Sequence, residues 1–378
     1  MKMKKGLILT IFTILMMVVI SGCEKKDSTG KTGIRCSISK EPEFKSTYIM
    51  AKIVGASEIG FEYGDSLVLE FSNGQRFEDV PLYSGYYGKT GELAIVDYPG
   101  YKYNVFARCQ GNSTWEEFEF EEGDSVTVTL FKKAKYKDIE EALNMVYSNE
   151  REDYSDDAVF SNFRVMEGGK MKKNMFYRGA SPVDNQYKRA DTTDELIKEA
   201  DIQYVIDLAD TNEKLLGYFE KEDFKSEYAL YLFNSGKVCT AGLGSSYRSE
   251  EYAKKTVAAL RNMLNNDGPY YIHCTEGKDR TGFVCMLLES IAGFSYDELK
   301  NDYMKTYENY YGISEKSNPA KYKSVVDVKY NDIILWLAGA EAPEQVTTEK
   351  TADGARKYLI NAGMTEEEYE KLVDILCE

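Results

Sequence analysis

Residues 273–282 read HCTEGKDRTG and contain the only histidine of the 378-residue chain, directly before Cys274. A cysteine becomes a good nucleophile where its thiolate is favoured, as at the mouth of a helix N-terminus ringed by backbone N–H groups. Arg280 follows after a gap of five residues. That gap can curl around the sulfur, with Gly277 relieving steric conflict in the turn. The backbone from Thr275 through Glu276, Gly277 and Lys278 to Asp279 and Arg280 would then form a nest of donors suited to a phosphate dianion. Arg280, closing the loop, can grip two phosphate oxygens with its planar fork. The Thr281 hydroxyl can reach the sulfur and ease its departure from phosphorus. His273 has a supporting part, its ring hydrogen-bonding the loop backbone. Together these residues could move a phosphoryl group onto sulfur and then to water. A cysteine with an arginine six residues on is a weak signal alone, whereas HCxxGxxRTG at a strand-to-helix turn is a strong one.

The elements that must position this loop are legible around it. YVIDLAD (204–210) and ALYLF (229–233) read as buried strands, and PYYIH (269–273) as another. RSEEYAKKTVAALRNMLNNDG (248–268) has acids in its first turn, apolar residues three and four apart and a terminating Asn-Asp-Gly, the marks of a helix. TGFVCMLLESIAG (281–293) is a second helix. Strands alternating with helices predict an α/β domain over 155–378, its central sheet mainly parallel and flanked by helices. The loop then lies beyond the carboxyl end of a strand, where open α/β sheets bind ligands.

The first third has a different texture. Residues 36–135 hold short β-branched or aromatic runs (STYIMAKIV, SLVLEF, ELAIVDY, KYNVFARC, SVTVTLF) separated by turn signals, which predicts a small all-β barrel or sandwich. A linker helix is expected over 136–154, on the helical spacing of IEEALNMVYSN (139–149). Ahead of them, three lysines precede an apolar run from Leu7 to Ile20, too short to span a bilayer and suited to a secretory signal peptide over 1–22. ISGC at 20–23 resembles a bacterial lipobox, which implies cleavage before Cys23, acylation of its sulfur and a tether over 23–35. The mature chain is expected at the outer face of a bacterial cell membrane, held there by its acyl chains. Export permits disulfides, and a Cys36–Cys109 bridge is conceivable. The net charge of −16 argues against a nucleic-acid partner, but a few local cations still allow a phosphate-bearing ligand.

HCTEGKDRTG resembles the active-site signature of the protein tyrosine phosphatase superfamily, and its GKDRTG form a bacterial branch acting on phosphotyrosine and phosphoinositides. SNFRVMEGG (161–169), FYRGASP (176–182), AGFSYDELKNDYMKT (292–306) and KYLINAGMTEEEYEKLVDIL (357–376) are similar to other segments of that branch, so the likeness covers about 155–378. The resemblance implies a phosphoric monoester hydrolase with Cys274 as nucleophile, Arg280 and the loop backbone on phosphate, and no metal or cofactor. Lys278 would favour substrates with several phosphates. Arg178 is a candidate to bind substrate or to pair with an acid. Three positions depart from the pattern: Ala209 and Val165 replace expected charged residues, and residues 231–246 hold no carboxylate where the family keeps its general acid. Asp279 is the first candidate for that role and Asp207 the second. The rival reading is a phosphate-binding lipoprotein whose catalytic domain has lost its acid; a sulfur transferase fits less well, because of the Thr-Gly after the arginine and the FYRG segment.

Overall fold

The structure is a computed structural model that describes residues 23–26, 32–42, 46–54 and 60–378. The expected signal peptide lies outside the described residues.

Eight strands build the first part: β1 Cys23–Lys26, β2 Thr32–Lys40, β3 Thr47–Ile49, β4 Ser66–Phe71, β5 Arg76–Tyr83, β6 Leu93–Val96, β7 Asn104–Arg108 and β8 Ser125–Lys132. The order β2-β3-β7-β6-β5-β4-β8 closes through a β8–β2 pairing, so seven strands make a barrel, and β1 is added alongside β2. β8 pairs with both β2 and β4, which rules out a sandwich. Alternate side chains point inward: Ile34, Cys36 and Ile38, then Leu67, Leu69 and Phe71, then Val126 and Val128. Such alternation is what a strand with one buried face requires.

Several expectations are corrected here. Within the stretch expected as a tether, 23–35, Cys23–Lys26 and the start of β2 at Thr32 are paired strands. β5 was not foreseen, since its first half, Arg76 to Asp79, carries three charges and looks like a turn. The linker helix spans only Lys137–Leu143; beyond it Met145 packs on the second core and Tyr147 stacks on Tyr310, which an unbroken helix would not allow. Cys36 and Cys109 are free thiols in separate clusters, and burial pushes each up to about 11.

The second part centres on a five-stranded sheet: β9 Arg164–Val165, β10 Phe176–Gly179, β11 Tyr204–Asp207, β12 Val238–Thr240 and β13 Tyr270–His273, in the order β12-β11-β13-β10-β9. All neighbours run parallel except β9 with β10. Tyr270 and Ile272 of β13 join the larger core on one face, and Tyr271 joins a smaller core on the other. ALYLF, expected as a strand, belongs to the helix Glu227–Asn234. Ala229 and Leu232, three apart, are its buried positions, and the Asp194 carboxylate accepts the N–H groups of Tyr228 and Ala229 at its start. A short apolar run does not distinguish the two periods. β12, three residues long, went unread in the stretch that follows.

Barrel and sheet domain share a polar seam. Asp332 accepts from Thr90 N–H (3.2 Å) and hydroxyl (2.5 Å) on the barrel side, and from Tyr247 (3.0 Å) and Arg248 (3.2 Å) on the other. Ser246 donates to the Gln110 carbonyl at 2.9 Å, and Lys329 to that of Tyr86 at 3.0 Å.

Candidate active site

β13 carries His273 to the carboxyl edge of the sheet, level with Gly179 of β10 and Asp207 of β11. Cys274 follows, 3% exposed, and the chain turns through Thr275–Lys278 into the helix Asp279–Ile291. From Thr281 to Ile291 that helix is buried all round, so its N-terminus is anchored at a fixed point beside the sulfur. Gly277 sits at φ +68°, and a Cβ there would lie 2.2 Å from the Gly179 carbonyl oxygen. No other residue fits this close approach of loop to strand.

The carbonyls of the loop are engaged from outside. Ser181 N–H donates to Thr275 O (3.2 Å), Tyr310 Oη to Glu276 O (2.6 Å), and Asn162 Nδ2 to Glu276 O (3.4 Å) and Gly277 O (3.3 Å). Among the described residues, the N–H groups of Thr275 to Lys278 donate to nothing. Four adjacent peptide donors without partners, beside a helix N-terminus, form an anion nest. Arg280 closes it, donating to the Thr275 hydroxyl (3.2 Å) and the Leu243 carbonyl (3.3 Å). Burial works against its charge, but electrostatic interactions with Cys274, Tyr252, Asp279 and Asp207 keep the guanidinium above its ordinary value.

Other expected residues divide. His273 Nδ1 lies 3.3 Å from the Cys274 carbonyl oxygen, beneath the loop. Glu276 accepts from Tyr147 Oη (2.5 Å) and lies 3.7 Å from Lys278 Nζ. Lys278 also reaches Tyr311 Oη at 3.3 Å. Burial opposes its charge, and Asp279 and Glu276 outweigh that, so it stays well above its ordinary value. The Thr281 hydroxyl is buried and, among the described residues, without a hydrogen-bond partner, the sulfur included. The Asp279 side chain is 66% exposed at the helix start.

Two candidates are placed elsewhere. Arg178 is 1% exposed and faces away from solvent, donating to Asp302 and, at 3.2 Å, to the Gly277 carbonyl. It braces the loop from below, pairing with an acid as the alternative had it. Asp207 is fully buried and accepts the N–H groups of Ala209 (2.8 Å) and Asp210 (3.1 Å), shaping the turn after β11. Burial pushes its carboxyl up to about 6, against the pull of His273.

Sequence reasoning missed the bracing layer. Asp302 binds Arg164 (Nε, 2.7 Å) as well as Arg178, and these two cations hold it well below the usual carboxylate range despite its burial. Glu289, buried beside it, is pushed far up by burial and by the Asp302 charge. Tyr147, from the linker, and Asn162 were not singled out for the loop. Asn162 sits at φ +50°, and Asn in the left-handed region of an Asn-Phe-Arg motif was the available signal.

A family model described as "Tyrosine phosphatase family" matches residues 160–378, more than half of the chain. No curated protein matches. Among solved structures, the core catalytic domain of the PP-IP phosphatase SIW14 from S. cerevisiae, in complex with citrate, is similar at 18% identity, with 47% of this chain and 91% of that chain covered and a TM-score of 0.27. A second Siw14 catalytic core is similar at 16% identity, covering 47% and 94%, with a TM-score of 0.24. With an anion nest closed by Cys274 and Arg280 and a family match spanning the whole sheet domain, the chain belongs to the tyrosine phosphatase family.

Proposed function

We propose that this phosphatase is an exported, lipid-anchored enzyme that hydrolyses phosphate monoesters through a cysteinyl-phosphate, with phosphotyrosine, phosphoinositides and inositol phosphates as the substrate classes. The unpartnered N–H groups of Thr275 to Lys278 around Cys274 carry this reading. The phosphate of the substrate occupies the nest with Arg280 on two of its oxygens. Cys274 sulfur attacks phosphorus opposite the ester oxygen, the S–P bond forms and the P–O bond to the leaving group breaks. Asp279 gives its proton to the departing oxygen. A water then attacks phosphorus, Asp279 takes the water proton back, and the S–P bond breaks to release phosphate and thiolate. Thr281, whose buried hydroxyl has no other hydrogen-bond partner among the described residues, donates to the sulfur as it leaves.

Of the carboxylates near the sulfur, Asp279 combines position on the loop with exposure, whereas Glu276 is held by Tyr147 and Asp207 is buried. Asp279→Asn is expected to slow substrates with poor leaving groups, such as phosphotyrosine peptides, by about 10²–10⁴-fold and to spare activated aryl phosphates, because acid assistance matters only where the leaving group needs it. Steady-state rates on both substrate types check this. Equal slowing of the two would reduce Asp279 to a loop-shaping residue, and a wild-type chain that binds phosphate without turnover would favour the phosphate-binding rival.

The anchor rests on Leu7 to Ile20 and the ISGC ending at Cys23. Intact-mass analysis of native protein is expected to find a chain beginning at a diacylated or triacylated Cys23; a chain beginning at Met1 rules the anchor out.

A further inference from the structure

Among the described residues, Arg280 pairs with no carboxylate and meets two neutral acceptors, the Thr275 hydroxyl (3.2 Å) and the Leu243 carbonyl (3.3 Å). Together they set the plane of the guanidinium and leave its remaining N–H groups to phosphate oxygens. Thr275 belongs to the catalytic loop itself. Leu243 is the fixed point outside it, so the aim of the guanidinium depends on how residues 242–249 are held. These residues contain no carboxylate, and what they give the site is this main-chain oxygen.

The start of the segment hangs on the sheet domain: Gly242 N–H donates to Asp210 O (3.0 Å) and Leu243 N–H to Leu208 O (2.8 Å). The direction of the Leu243 carbonyl is set by the peptide that follows, where Gly244 and Ser245 are exposed. Ser246 and Tyr247 then reach the barrel. Ser246 Oγ donates to the Gln110 carbonyl (2.9 Å), and Tyr247 Oη lies 3.0 Å from the Thr90 hydroxyl and donates to Asp332 at 3.0 Å. Thr90 ties that corner together, giving its N–H (3.2 Å) and its hydroxyl (2.5 Å) to the same Asp332 oxygen. The buried Tyr247 ring also stacks on Phe283 (4.6 Å between centroids), three residues beyond Arg280 on the same helix. Residues three apart share a helix face. The barrel contact therefore has two routes to the guanidinium, one through the Leu243 carbonyl and one through the Phe283 ring.

We infer that the barrel positions the phosphate-gripping arginine: Thr90 and the Gln110 carbonyl hold Tyr247 and Ser246, and through them fix the aim of Arg280. Thr90 is thus a positioning residue, one that touches no reacting atom and acts through residues 242–249. The inference rests on the phosphatase reading above and adds that the barrel is part of the catalytic unit, its docking a condition for full activity.

Vanadate binding measured by titration calorimetry tests this apart from turnover, because the dissociation constant reports the site while the stoichiometry reports the folded fraction. Thr90→Val keeps the shape of the side chain and removes its hydroxyl. It is expected to weaken vanadate binding about 10-fold at unchanged stoichiometry, the scale of one hydrogen bond to a charged group. It should lower kcat/KM on phenyl phosphate by a similar factor. Thr90→Ser, which keeps the hydroxyl, should restore both, and Ser246→Ala, which severs the second barrel contact, should weaken vanadate binding as well. In an Arg280→Lys chain, which lacks the planar fork, Thr90→Val should change vanadate affinity by less than about 2-fold, the mark of two residues acting as one. An unchanged dissociation constant in Thr90→Val or Ser246→Ala, a fall in stoichiometry alone, or no rescue by Thr90→Ser overturns the inference. So does a full repeat of the loss in the Arg280→Lys chain. The phosphatase reading fails separately, if the wild-type chain binds vanadate but releases no phosphate from phenyl phosphate, a phosphotyrosine peptide or an inositol phosphate.

Discussion

Cys274→Ser is expected to cut phosphate release on the order of 10⁴–10⁶-fold, the scale seen when a covalent catalyst loses its nucleophile. A serine hydroxyl stays protonated at neutral pH and is a far poorer nucleophile than a thiolate. Binding should survive. The four N–H groups of the nest and the Arg280 guanidinium owe their positions to Asn162, Arg178, Tyr310 and the buried helix, not to the sulfur. Calorimetry should therefore find phosphate and vanadate binding in the variant comparable to the parent. Residual turnover at the parental rate would overturn the covalent mechanism.

Gly277→Ala should fail in the opposite way, losing binding and turnover together. The new methyl carbon would lie 2.2, 2.4 and 2.9 Å from the oxygen, carbon and Cα of Gly179, all backbone atoms of β10 that cannot swing aside. The φ of +68° adds its own strain for a residue with a side chain. Loop and strand must separate, and the N–H groups of the nest move with the loop. A displacement near 1 Å in a positioned site costs about 10²-fold, so kcat/KM should fall about 10²-fold or more, with phosphate affinity falling alongside. The fold should lose about 1–3 kcal/mol, the usual cost of a strained backbone position, measurable in urea unfolding. Parental kinetics in this variant would show that the loop has slack that the contact distances deny.

The contrast between what was legible and what was not follows from sequence separation. Nucleophile, phosphate grip and turn glycine all fall within ten consecutive residues, and the strand and helix around them carry clear periods, so the centre of the site could be read directly. The bracing layer could not. Arg178 and Asp302 are 124 positions apart, and neither announces that the other will neutralise it under the loop. Asp207 has the right residue type and strand position for a catalytic acid, and its complete burial could not be read from the sequence. Tyr147 lies in a segment that reads as helix, and it reaches Glu276 across 129 positions because the helix ends at Leu143. Closure of the barrel was undecided for the same reason: it depends on β8 meeting β2 across the whole length of the domain.

The solitary histidine has a practical consequence. His273 is the chain's one imidazole, buried against the Tyr271 ring at 5.5 Å and one peptide bond from the nucleophile. In a chain purified without a polyhistidine tag, its ring protons give a single set of magnetic resonance lines, assigned by composition alone. Filling of the nest, formation of the S–P bond and its hydrolysis each change the field at that ring. The protein thus carries a native spectroscopic reporter of its own catalytic cycle, one that needs neither isotope editing by residue nor an engineered probe.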